Sequence, residues 1–166
     1  MFSTVTAAEQ LPQSSQAADL AAEIKHAKLC RLYEYWRSKR GERRLPARAD
    51  VDPVEFSFAL GHIMLIDVLR EPLTFRVRLH GTEMIRRVGY EMTGKNLYDL
   101  PVESKYRDYV LARCEGLVAR PEPLIVTNDR TLQNRLREYE ALWLPFSDDG
   151  TSVNMLMCAL YYTDEA

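Results

Sequence analysis

The side chains that could do covalent or metal chemistry are few and widely spaced along this sequence. The three cysteines are odd in number and form neither a disulfide framework nor a CxxC metal or redox motif. We interpret Cys30, Cys114 and Cys158 as buried free thiols. The sequence contains no HExxH, no GxSxG and no phosphate loop. Because an enzyme needs a nucleophile, a base or a metal set in one place, the sequence predicts no catalytic residues and no metal site.

Asp67 is the best single candidate for an acid with a perturbed pKa, because it interrupts an otherwise apolar strand pattern. The hairpin predicted for this region places Arg76 directly opposite it on the next strand. A cross-strand ion pair between Asp67 and Arg76 is therefore favoured over a general base. A small pocket enzyme remains an alternative to this interpretation.

A cluster of arginines lies in the segment from Lys39 to Pro53 and could bind phosphate groups. Acidic residues interrupt the cluster, and neither an aromatic platform nor a glycine-rich cradle accompanies it. The whole chain has 22 Lys and Arg against 24 Asp and Glu, so it is not basic overall. We interpret the loop as solvated or paired within the chain, and nucleic-acid contact through it as the alternative. The arginines are Arg40, Arg43, Arg44 and Arg48.

The composition predicts one folded domain, because 166 residues that are 46% apolar and 28% charged suffice for a core and a solvated surface. The longest apolar run, Met155 to Tyr162, is far shorter than the roughly 20 residues that span a bilayer. Residues 1–16 show no secretory pattern and too few large apolar groups to order themselves, so we expect a disordered arm. We expect a cytoplasmic protein with no membrane partner.

The segment Ala17 to Arg40 is predicted to form one long helix, because it has no glycine or proline and Gly41 follows it. Its apolar residues form two groups that face nearly opposite directions. The second group is predicted to pack on the core of the chain, and the first on the same helix of a second copy, giving a homodimer. A kinked or frayed helix is the alternative. The first group is Leu20, Ile24 and Ala27, and the second is Leu29, Leu32, Tyr33 and Trp36.

After a short helix that begins at Asp52-Pro53 and ends at Gly61, two strands are predicted to form an antiparallel hairpin. They run from His62 to Leu69 and from Thr74 to His80, and pair Leu69 with Thr74. One predicted face is wholly apolar and buried, and the other carries Asp67 and His80. The buried face holds Met64, Ile66, Val68, Phe75, Val77 and Leu79.

The rest of the sequence predicts short helices between Thr82 and Leu100, a helix from Ser104 to about Ala119, and three strands. A two-residue Asp149-Gly150 turn between the last two strands places Trp143 opposite Leu156, with apolar groups on both faces. The last strand is therefore expected in the middle of the sheet. The element order predicts an α+β domain with a five-stranded antiparallel sheet. The strands are Leu124 to Leu132, Arg137 to Phe146 and Val153 to Tyr162.

Several short motifs resemble those of PAS domains, over about Leu29 to Tyr162. Gly89-Tyr90-Glu91 followed by Gly94 to Leu100 resembles the helical middle of a PAS domain. A further set resembles a bacterial PAS subfamily that often occurs as small stand-alone proteins. The resemblance implies an α+β fold with a PAS-like sheet, helices on one face and an N-terminal helix on the other. Residues 62–166 would be the PAS core and 17–61 a helical extension with the basic loop. The further set is Tyr35-Trp36, Arg40 to Arg48, Asp50, Asp52-Pro53 and Phe75 to Thr82.

The resemblance implies a sensory or protein-interaction module without catalysis, in which a pocket between sheet and helices holds a ligand. Tyr109 could offer such a ligand a polar contact. Ordinary core packing is the alternative role for the candidate pocket residues. We expect a regulatory module that acts through contact with a downstream protein whose identity the sequence does not give. The pocket candidates are Met64, Ile66, Phe75, Val77, Met84, Val88, Tyr109, Val110 and Cys114.

Two PAS cofactor chemistries are disfavoured, and the cofactor stays unknown. In the blue-light flavin type a reactive cysteine follows the stretch that resembles Gly94-Lys95-Asn96, and here that position is Leu97. Haem-binding members often take an axial histidine from the long helix, but Ser104 to Ala119 contains none. The histidines fall elsewhere, and the last of them is predicted to point outward beside Arg78. They are His26, His62 and His80.

Overall fold

The computed structural model describes residues 17–165 and the side chains from Leu20 onward. The predicted arm of residues 1–16 lies outside this part of the chain. No helix among the described residues is long and apolar enough to cross a bilayer. The helices are α1 (Ala17–Glu23), α2 (Ala27–Arg40), α3 (Thr82–Val88) and α4 (Ser104–Ala119), with short 3-10 helices at Arg48–Asp50, Ser57–His62 and Leu97–Asp99. The strands are β1 (Ile63–Leu69), β2 (Thr74–His80), β3 (Leu124–Leu132), β4 (Arg135–Phe146) and β5 (Met155–Tyr162).

The strands form one antiparallel sheet in the order β2-β1-β5-β4-β3. Every residue of β5 is buried, because its side chains on both faces are apolar or aromatic and both faces are covered. The predicted α+β fold and the central position of the last strand are confirmed. We call the sheet face that carries Met64 and Trp143 the inner face, and the face that carries Ile63 and Leu144 the outer face.

The outer face is covered by α2, whose second apolar group is buried as predicted. The indole Nε1 of Trp36 donates a hydrogen bond to the Pro145 carbonyl oxygen of β4 at 2.9 Å. Farther along this face, the ring of Tyr161 is stacked between His26 and His62, with ring centroids 4.0 Å away on each side. The N-terminal helix therefore packs on the sheet through both apolar and aromatic contacts.

The prediction of one helix from Ala17 to Arg40 is wrong, because the chain leaves the helix at Ile24 to His26. The buried carboxylate of Glu140 on β4 accepts hydrogen bonds from the backbone N–H groups of Lys25 (3.1 Å) and His26 (2.9 Å). His26 then caps α2, with its Nδ1 accepting from the Lys28 N–H. These bonds replace the helical ones and separate α1 from α2.

The break changes what the predicted dimer residues contact. Leu20 and Ile24 are buried in the hydrophobic core of the chain itself, and α1 lies near β3. Ala27, the third residue of that group, is exposed. The structure thus has the kinked arrangement kept above as an alternative, and the homodimer stays a prediction.

The predicted pairs Leu69–Thr74 and Asp67–Arg76 are confirmed in the β1–β2 hairpin. A bulge follows, because Leu65 pairs with Leu79 and the next residue, Ile66, pairs with Val77. Because β2 has one extra residue at this point, each β2 residue after the bulge points to the face opposite to the one predicted. His80 therefore points to the inner face and Leu79 to the outer face, opposite to the prediction.

The β4–β5 connection is longer than the predicted two-residue turn. Trp143 pairs with Cys158 instead of Leu156, and eight residues, 147–154, separate the last paired residues. The carboxylate of Asp149 organises this loop by accepting from the N–H groups of Thr151 (2.8 Å) and Ser152 (2.7 Å). The shift of two residues leaves each side chain on its predicted face. The predicted helix from Asp52 is a turn followed by the 3-10 helix Ser57–His62.

Candidate ligand cavity

A cavity of about 70 Å³ lies between the inner face of the sheet and helices α3 and α4. It is roughly half the size of the apolar cavity of about 150 Å³ that holds benzene in an engineered protein. Its walls are mainly apolar and aromatic, with a few polar groups that converge from β2, β3 and α4. This combination is typical of small-molecule sites.

Five of the nine predicted pocket residues line this cavity: Met64, Met84, Val88, Tyr109 and Val110. The other four do not line it and are fully buried in the core: Ile66, Phe75, Val77 and Cys114. The strand end that carries Phe75 and Val77 is closed by the loop after α3. Backbone hydrogen bonds join Val77 to Gly94 (2.8 Å) and Lys95 (2.9 Å), and Leu97 is buried close by.

Most of the polar residues that line the cavity were not predicted from the sequence. Tyr139 and Trp143 share the inner face with Cys158 and Tyr162, which the alternation of β4 and β5 could have shown. His80 was assigned to the wrong face because the bulge leaves no clear sequence signal. The lining residues absent from the predicted set are His80, Tyr90, Leu97, Leu100, Tyr106, Val126, Arg130, Tyr139, Ala141, Trp143, Cys158, Leu160 and Tyr162.

Three tyrosines of the cavity, Tyr106, Tyr139 and Tyr162, stay protonated at neutral pH. Burial raises the pKa of Tyr106 to about 12, and it also raises the pKa values of Tyr139 and Tyr162. The rings of Tyr106 and Tyr109 are stacked, with centroids 6.4 Å apart. Their hydroxyl groups can each donate one hydrogen bond and accept others. The cavity thus presents neutral donors and acceptors in an apolar surrounding.

Arg130 on β3 brings a positive charge to the cavity wall. Its guanidinium carbon lies 4.4 Å from the ring centroid of Tyr106. Burial lowers the pKa of Arg130, but the nearby hydroxyls of Tyr106, Tyr162 and Tyr90 outweigh it, so the pKa is raised overall. The guanidinium therefore stays charged within the aromatic cluster.

His80 is only 6% exposed and joins the cavity wall to the loop after α3. Its Nδ1 accepts a hydrogen bond from the backbone N–H of Met92 at 3.2 Å, so the neutral ring carries its proton on Nε2. Burial lowers the pKa of His80. Protonation would require Nδ1 to give up the Met92 hydrogen bond.

We expect the free energy of unfolding to fall as the pH is lowered from 7.5 to 5.5. A histidine whose folded pKa is lowered binds its proton more readily in the unfolded chain, so stability is complete above about pH 6.5 and is lost below it. The variant His80→Asn keeps an acceptor for Met92 but does not titrate. Urea unfolding at several pH values should give a smaller pH slope for this variant than for the wild type. Equal slopes would contradict this role of His80.

Asp67 lies on the outer face and is 6% exposed. The predicted pair with Arg76 is present at 3.7 Å, but the closest cation is Arg78, whose Nε donates to Oδ1 at 2.8 Å. Arg48 of the basic loop approaches the same carboxylate at 3.7 Å. One carboxylate thus joins three arginines and connects the loop to the β1–β2 hairpin.

The basic loop is held by acidic residues of the chain. Besides the Arg48–Asp67 pair, Arg43 pairs with Asp50 at 2.6 Å, and Asp50 also accepts from the Ala47 N–H. The interpretation of an internally paired loop is confirmed for Arg43 and Arg48. These two guanidinium groups already have carboxylate partners, which disfavours phosphate binding through them.

The remaining reactive side chains are the three cysteines and one cluster of a histidine with two carboxylates. Cys114 and Cys158 are buried free thiols, as predicted, and burial raises the pKa of Cys114 to about 12. Cys30 is only half-buried, next to the helix break.

In the described part of the chain, one group has the composition of a metal site, with ligand atoms within 4.8 Å of one another: His62, Glu83 and Glu165. Its two carboxylates already pair with Arg86 and Arg87, so we assign no metal there.

The chain is similar to several solved structures at low sequence identity. For the LOV protein of Rhodobacter sphaeroides, the identity is 15% over 70% of each chain, with a TM-score of 0.48. A structure of an RsLOV variant is matched with 12% identity over 63% of this chain and 61% of that chain, with a TM-score of 0.46. For the PAS domain of Bordetella pertussis BvgS, the identity is 20% over 69% of this chain and 89% of that chain, with a TM-score of 0.48.

No match to a curated protein sequence was found. The family model described as a PAS domain matches residues 24–160, which is most of the sequence and includes α2, the whole basic loop and all five strands except the end of β5. The chain belongs to the PAS domain family.

Proposed function

We propose that this chain is a non-enzymatic sensory module that binds a small molecule in the inner-face cavity and acts through contact with another protein. PAS domains are in general sensory modules. The observation that carries the proposal is the cavity itself, with apolar walls and a small set of converging polar groups. We also propose that the protein works in the cytoplasm.

Strand β5 offers a route from the cavity to the surface of the domain. Tyr162 lines the cavity, and the next residue back, Tyr161, faces the outer side and stacks on His26 at the start of α2. A ligand that moves the Tyr162 backbone therefore acts on the helix that covers the opposite face. In this proposal, α2 and the adjoining basic loop form the surface that a partner contacts.

The test fills the cavity without changing the surface. Ala141→Leu adds three carbon atoms to the cavity wall, where Ala141 is buried on β4. Ala112→Leu adds the same atoms at an exposed position of α4 and serves as the control. Native mass spectrometry of each purified protein reports both a retained small molecule and the number of subunits. Affinity capture from cells that express each tagged protein reports the partner.

We expect the wild type and Ala112→Leu to retain a small molecule and the same partner, and Ala141→Leu to lose the molecule and change partner capture. Equal ligand retention and equal partner capture by all three proteins would contradict the proposal. The same mass measurement tests the homodimer, which we propose as the state of the full chain; a monomer at micromolar concentration would overturn it.

A further inference from the structure

We propose that the cavity binds a small monocarboxylate whose carboxylate group pairs with Arg130. The inference rests on the proposed function, because it names the ligand class for the same cavity. Among residues 20–165, none of the side chains that line the cavity is acidic, and Arg130 has no carboxylate partner there. Arg130 is half-buried among aromatic side chains, and a cation partly withdrawn from water is stabilised by an anion, so the missing partner points to an anionic ligand.

The residue opposite Arg130 on the neighbouring strand is also an arginine, so a negative charge near Arg130 would be stabilising. Arg130 on β3 lies directly opposite Arg137 on β4, and like charges at such positions repel. Arg137 has an acidic partner of its own. The carboxylate of Asp164 pairs with Arg137 at 3.4 Å and with Arg87 at 2.5 Å. That carboxylate is already shared by two arginines, and the contacts of Arg130 in the described part of the chain are the Tyr106 ring and the hydroxyls of Tyr90 and Tyr162.

The contacts of Arg130 suit a carboxylate in particular. Its guanidinium carbon lies over the Tyr106 ring, and its five N–H groups outnumber the two tyrosine hydroxyls that hydrogen-bond to it, so donors remain for a planar anion. The hydroxyls of Tyr90 and Tyr162 accept hydrogen bonds from Arg130, and their own O–H groups can donate to the oxygens of a ligand beside it. A carboxylate has the two coplanar oxygens that this arrangement binds.

The rest of the cavity limits the ligand to one charge and a short apolar body. His80 is neutral at pH 7, so Arg130 supplies the positive charge of the wall. The remaining wall includes Val88, Val110 and Leu160, against which a second charge would be poorly solvated. Scaled from the cavity of about 150 Å³ that holds benzene, a volume of about 70 Å³ holds an apolar body of roughly three carbon atoms, beside a carboxylate at Arg130. Propionate and butyrate therefore fit the class.

The experiment measures binding of sodium butyrate by isothermal titration calorimetry at pH 7.5. Butan-1-ol, which has the same chain without the charge, and inorganic phosphate, which has charge without the chain, are titrated in parallel. Arg130→Gln removes the charge but keeps a hydrogen-bonding side chain. The control is Arg135→Gln, at an exposed position near the β3–β4 turn. Circular dichroism checks that both variants are folded.

We expect butyrate to bind the wild type and Arg135→Gln equally, and Arg130→Gln about 10- to 100-fold more weakly, as for the loss of a charge-assisted hydrogen bond. Butan-1-ol and phosphate should bind at least tenfold more weakly than butyrate. Equal binding of butyrate by Arg130→Gln, or tighter binding of phosphate or butanol, would overturn the assignment. If no carboxylate binds while native mass spectrometry still shows another molecule in the cavity, the ligand class is wrong and the proposed function stands.

Discussion

Replacing Trp36 with alanine should lower the free energy of unfolding by about 4 kcal/mol, because it removes the largest side chain between α2 and the sheet. Trp36 is 2% exposed, packs beside Tyr33 and donates to the Pro145 carbonyl at 2.9 Å. The change leaves both a large void and a buried carbonyl without its donor. Urea unfolding followed by circular dichroism measures the loss, since a fluorescence signal would change with the indole itself.

Trp36→Phe separates packing from the hydrogen bond. The phenyl ring keeps most of the buried apolar surface but has no N–H for Pro145, so we expect a loss of about 1 to 2 kcal/mol. An Ala variant that loses less than about 1 kcal/mol would mean that α2 is not firmly packed on the outer face. That result would also remove the route from Tyr161 to α2 on which the proposed function relies.

Replacing Gly81 with alanine should cost about 3 kcal/mol or more, because a Cβ atom at this position would collide with backbone. It would lie 2.3 Å from the Gly61 carbonyl oxygen and 2.9 Å from the Ile63 nitrogen. Backbone atoms cannot rotate away as a side chain can, so β2 and the segment before β1 would have to separate. The φ angle of Gly81 is −61°, so the effect comes from this contact and not from the backbone conformation.

Gly116→Ala is the control for this substitution. Nothing lies within 4 Å of a Cβ atom at Gly116, near the C-terminal end of α4, and alanine favours a helix over glycine. We expect this variant to be more stable by about 0.5 to 1 kcal/mol. Thermal unfolding of the two variants should therefore shift in opposite directions. A small loss for Gly81→Ala would show that the two backbone segments approach less closely than described.

The alternation of apolar residues was sufficient to predict the sheet but not its irregularities. Side-chain faces on β4 and β5 were predicted correctly even though the register was off by two residues, because a shift by an even number leaves the faces unchanged. The bulge in β2 changes the count by one, so His80 was placed on the wrong face. A bulge of this kind depends on the packing of neighbouring segments, which a single strand pattern does not contain.

The position of the break between α1 and α2 was also not predicted, because its cause lies far away in the sequence. The segment from Ala17 to Arg40 has no helix-breaking residue, and the reason the helix stops lies 114 residues away, at the carboxylate of Glu140. The cavity was predicted in part because Met64, Tyr109 and Val110 follow from their own strand and helix patterns. Arg130 was missed because its place in the cavity depends on how β3 pairs with β4, and its polar side chain gave no sign of a buried position.

Asp67 and its three arginine partners do not tolerate substitution equally. Losing any one of Arg48, Arg76 and Arg78 leaves the carboxylate with two cationic partners. Losing Asp67 leaves three like charges together at one place and releases the basic loop from the hairpin. We therefore expect related sequences to vary more freely at the three arginines, and most freely at Arg48 and Arg76, than at the single acid.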